Sequence, residues 1–174
     1  MNIFEFNEKI DRVFSLIPHP KPDRINPYPC CPDHDGMTDW YREHTWREFQ
    51  KLLEEDTLDS EFMPTYPEAF IYFLPAVLRY TLESYEMKKD NIWEWVIKAG
   101  ITCRPISDWI EVLVPLFEEP YLTDIKEIRK SLEPEQIKII TEYLLFFLAV
   151  SPFEQEQFKN EIRRALNEVW LASN

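Results

Sequence analysis

Apolar residues recur along this chain at intervals of three and four, the spacing that puts them on one face of an α-helix. Phe6, Ile10, Val13, Phe14 and Ile17 make the first such stripe. Asn2 and Glu5 have the form of a capping box at its start, and Pro18, Pro20 and Pro22 end it. From Pro18 to Asp39 the pattern lapses into a Pro-rich, irregular surface segment (18–39). Thr45-Trp46-Arg47-Glu48 is a second capping-box pattern, followed on one face by Phe49, Leu52 and Leu53. Asp56 to Thr65 reads as an acidic connection.

Pro67-Glu68 opens a longer helix that runs through Phe70, Phe73, Leu74, Val77, Leu78 and Leu82, proline being tolerated in a first turn. Pro75 lies inside this pattern without a donor, which predicts a kink or a break. Asn91 to Ala99 predicts a shorter helix with Trp93, Val96 and Ile97 inward and Gly100 at its C-terminal cap. Ser107 or Asp108 starts another carrying Trp109, Val112, Leu113 and Leu116, and Thr123 one carrying Ile125, Ile128 and Leu132. Pro134-Glu135-Gln136 begins the most apolar helix, 134–150, hydrophobic on nearly every face and therefore expected to be central and buried. Ser151-Pro152-Phe153-Glu154 begins the last, with Phe158, Ile162, Ala165, Leu166, Val169 and Trp170 in line. No sustained alternation of period two competes. The pattern predicts an all-α protein, one domain over 1–174, of about eight helices.

Composition supports a real core. The chain has 174 residues, 45% of them hydrophobic, with 12 Phe, 8 Tyr and 6 Trp, which argues against disorder despite the charge. Its most apolar stretch, Ile139 to Val150, is interrupted by Thr141 and Glu142 and falls short of the ~20 residues of a membrane span. The N-terminal residues lack a basic region followed by an apolar block, and the three cysteines, two of them adjacent (Cys30 and Cys31), do not form a disulfide framework. A reducing cytoplasm is the expected location. With only two glycines, Gly36 and Gly100, the chain has neither a dinucleotide fingerprint nor a Walker loop.

Charge narrows the choice of partner. The chain carries 32 acids against 19 bases, a net −13. Two windows account for −11 of it: residues 43–68, with eight acids and two bases, and residues 108–135, with eight acids and three bases. Such a field repels nucleic acid and anionic membranes and attracts basic proteins.

Candidate chemistry is thin. Cys30, Cys31, His34 and His44 supply the only metal-ligand atoms in a cluster, but adjacent cysteines chelate one ion poorly and no C-x-x-C spacing is present. Cys103 stands far along the chain from His19, His34 and His44. Carboxylate pairs such as Glu54-Glu55 and Glu118-Glu119 read as solvated helix ends. Stacking surfaces for nucleic acid come with basic grooves, and the charge around Trp40, Trp46, Trp93 and Trp95 is mixed or acidic. No catalytic residue, metal or cofactor is expected.

Four segments together resemble an uncharacterised family of small all-α bacterial domains, immunity-protein-like in kind. They are Phe14 to Pro22 (FSLIPHPKP), Trp46 to Phe49, Pro67 to Glu83 (PEAFIYFLPAVLRYTLE) and Leu132 to Leu148 (LEPEQIKIITEYLLFFL). The resemblance implies a compact helical domain and supplies no established activity or catalytic residues. The functional expectation is an acidic binding domain, an immunity protein that neutralises a toxin through its basic surface. Glu43, Glu48, Glu54, Glu55, Asp56, Asp59 and Glu61 would meet the partner, with Trp46 or Trp95 as an apolar anchor. Two alternatives stand beside it: a small metal-dependent or hydrolytic enzyme using the Cys30–His44 segment, and a structural or regulatory protein that self-associates.

Overall fold

Local capping chemistry sets where the helices begin. The computed structural model describes residues 2–25, 39–54, 66–88, 122–150 and 156–172. Helix α1, Ile3–Phe14, starts where Asn2 Oδ1 accepts hydrogen bonds from the backbone N–H groups of Phe4 and Glu5, at 3.0 and 3.4 Å. Its stripe of Phe6, Ile10 and Phe14 is buried. A short helix α2 covers 39–43, and α3 spans Trp46–Glu54. The capping box expected before α3 is complete. Thr45 N–H donates to Glu48 Oε2 at 2.7 Å, while Glu48 N–H donates to Thr45 Oγ1 at 3.4 Å.

Helix α4, Pro67–Lys88, has Pro at its first position, and the Tyr66 carbonyl accepts from Phe70 N–H at 2.8 Å. Of the kink or break expected at Pro75, the break does not occur: the helix continues through it. Proline there removes the N–H that would serve the carbonyl of Ile71, and burial of every residue from Ala69 to Leu78 outweighs that loss. Helix α5 is Leu122–Lys130 and α6 is Pro134–Val150. In front of α6 the Gln136 side chain accepts from Glu133 N–H at 2.9 Å. Helix α7, Glu156–Ala165, passes into one π-helical turn, Leu166–Trp170, where Leu171 N–H reaches the carbonyl of Leu166 at 2.7 Å. No strand occurs among the described residues, and the fold is all-α.

All the helices feed one hydrophobic cluster. Helix α4 lies between α1 and α3 and is the most completely enclosed, with ten consecutive residues buried on all faces. The apolar helix foreseen at 134–150 is present as α6, with Ile139, Ile140, Tyr143, Leu144 and Phe147 buried. Its outer side reaches the surface, however, and Leu145 is 44% exposed. Near the C-terminus Ile125, Ile128 and Leu132 join Leu166, Val169 and Trp170 in the core, and Arg129 donates to the carbonyl of Ala172 at 2.8 Å. No helix among the described residues is long and apolar enough to cross a membrane. The helices expected over 91–99 and 107–116, with Trp93, Trp95 and Trp109, lie outside the described residues, as does most of the segment 18–39. The described part of that segment runs over the surface as expected, with Pro18, His19, Lys21, Pro22 and Asp23 exposed; Pro20 and Ile25 tie it down by burial, and residues 22–24 form a single 3₁₀ turn.

Candidate functional site

The corner where α2 meets α3 holds the expected partner residues Glu43, Trp46 and Glu48, and also His44. An aromatic cluster supports it from below. Tyr41 and Phe49 each pack against Phe73 of α4, with ring centroids 4.7 and 5.6 Å apart, and burial pushes the Tyr41 phenol well above its usual range. His44 stacks flat on Trp40 at 4.2 Å, and its Nδ1–H donates to the Trp40 carbonyl at 2.8 Å. His19, from the segment after α1, sets its edge against Tyr72, and Pro20 and His44 carbonyl oxygens face its two nitrogens at 2.9 and 3.1 Å. Both imidazoles thus hold backbone to backbone around the start of α3.

The expected residues take different places at this corner. Glu43 is exposed at the end of α2. Glu48 is exposed too, but Thr45 already engages its carboxylate: first the backbone N–H and then the hydroxyl, at 2.8 Å, hold its pKa below the usual glutamate range. Trp46 is the clearest correction. It is 5% exposed and belongs to the core, so it offers no anchor to a partner. As the first residue of a helix that lies on α4, its side chain points inward, and the Arg47 guanidinium covers its ring at 4.5 Å. Glu54 ends α3, and its side chain lies outside the described residues. So do Glu55, Asp56, Asp59, Glu61 and Trp95, together with Cys30, Cys31 and His34 of the alternative metal cluster. Among the described residues no three of His, Cys, Asp and Glu converge on a point that could hold a metal ion.

Window arithmetic on the sequence overstates the local field. Glu68 falls in the acidic window 43–68, yet Arg24, 44 residues away, donates to it through Nε and Nη2 at 3.3 and 2.8 Å while stacking over Tyr66. The Arg24 hydrogen bond is the main cause that lowers the Glu68 pKa. Asp39 is likewise held by Arg42, and Glu127 by Lys130.

A second polar cluster, unforeseen from the sequence, sits where α1, α3 and α4 meet. Arg79 Nη1 donates to both Asp11 oxygens at 2.7 and 2.8 Å, and Nη2 donates to Glu83 at 3.2 Å. Asn7 and Gln50 donate to the two oxygens of Glu83 at 2.8 and 3.1 Å. Burial acts to lower the Arg79 pKa, but the hydrogen bonds and charges of Asp11 and Glu83 outweigh it and raise it. An Arg-x-x-x-Glu pair inside an otherwise apolar helix was the signal available in the sequence. This cluster joins helices, and Arg47 Nη2, 3.9 Å from Asp11, brings a second cation to its two carboxylates; it offers no reactive group.

The described stretches hold 19 acids and 16 bases, a net −3, whereas the other segments hold 13 acids and 3 bases, a net −10. Segment 55–65 alone has four acids and no base.

No protein-family model matches this chain, and no curated protein or solved structure is similar to it.

Proposed function

We propose that this chain is an acidic protein-binding domain of the immunity type, which neutralises a bacterial toxin by engaging its basic surface. One observation carries the reading: two stretches of the sequence, 43–68 and 108–135, hold −11 of the −13 charge, and 55–65 alone has four acids and no base. Ion pairs such as Arg24–Glu68, Arg79–Asp11 and Lys126–Glu168 offset part of the self-repulsion that so acidic a chain suffers. A surplus of carboxylates steers a cationic partner and speeds its encounter. Glu55, Asp56, Asp59 and Glu61, flanked by Glu54 and the exposed Glu43, are the residues assigned to that contact. Trp46 leaves the list because it belongs to the core, and Glu48 acts chiefly as the cap of α3.

The test is a kinetic one, using the product of the gene beside this chain's own as the partner. Association is measured by stopped flow from about 0.05 to 0.5 M salt, across which the Debye length shrinks severalfold. Electrostatic capture predicts an association rate falling at least about tenfold over that range. A rate indifferent to salt, or no complex at all, would overturn the proposal.

A further inference from the structure

We draw no further inference here: the strongest candidate, the outward apolar stripe of α6 through Leu145 and Ala149, is an exposed helix face with nothing in the structure to show what covers it.

Discussion

Thr81 of α4 and Tyr143 of α6 meet hydroxyl to hydroxyl at 2.5 Å in the middle of the core, with neither side chain exposed. Thr81 Oγ1 also lies 2.8 Å from the Val77 carbonyl and 3.1 Å from that of Leu78. A carbonyl can only accept, so the single threonine proton goes to it and the tyrosine proton goes to Thr81. Burial raises the Tyr143 phenol far above its usual range and keeps it a donor.

This assignment makes the two deletions unequal. Tyr143→Phe leaves Thr81 bonded to its own helix and should cost about 1 kcal/mol. Thr81→Val strands a phenol with no water in reach and should cost more, about 1–3 kcal/mol. Urea unfolding of the two variants gives the order, and equal losses would show that the proton runs the other way.

The Thr45–Glu48 box should be worth a helix cap, so Thr45→Ala is expected to lower stability by about 1 kcal/mol. The folded state holds Glu48 below the usual glutamate range. Its contribution is therefore complete above that range and disappears as the pH falls through the depressed value. Glu48→Gln should flatten the acid limb of a stability-against-pH curve while leaving the neutral and alkaline parts unchanged in shape. An acid limb of unaltered steepness would count against the box.

Arg79 holds two carboxylates that are about one-third exposed, Asp11 at 31% and Glu83 at 34%, and is itself 21% exposed. Arg79→Met should leave Glu83 to Asn7 and Gln50, and Asp11 to Arg47 at 3.9 Å, and cost about 1–3 kcal/mol, a figure reduced from the fully buried case by solvent screening. Asp11→Asn in the same background should add less than it does alone, because the partners are shared. Additive losses in the double-mutant cycle would refute the network.

Core and contact residues should separate cleanly. Trp46→Ala is expected to cost about 3–5 kcal/mol of stability, as for a large aromatic removed from a packed core. Neutralising Glu55, Asp56, Asp59 and Glu61 to their amides should change stability by no more than about 0.5 kcal/mol. The same variant should slow association with the partner about tenfold. If the amide variant unfolds early, those acids serve the fold. If it binds at the wild-type rate, the contact lies elsewhere.

Much of the helical layout was legible because caps are local. Asn2, Thr45 with Glu48, Pro67 and Pro134 act within one turn, and each marks a helix start where the structure has one. The inward stripes of α1 and α5 were legible for the same reason, since a 3.6-residue period states which side turns inward. At Pro75 the local pattern allowed a kink or a break, and the helix runs on unbroken because one enclosed by neighbours tolerates a missing donor that an isolated one would not.

The sequence by itself determined the helical class, the starts of the main helices and the net charge, all properties of neighbouring residues or of simple sums. Tertiary structure alone decided that α4 is the most enclosed helix, that Trp46 faces inward and that Leu145 does not. It also decided which bases meet distant acids, since Arg24 reaches Glu68 across 44 residues and Arg79 reaches Asp11 across 68. Those outcomes depend on which surfaces the packed helices bring together, and a core assembled from distant segments carries no local signature.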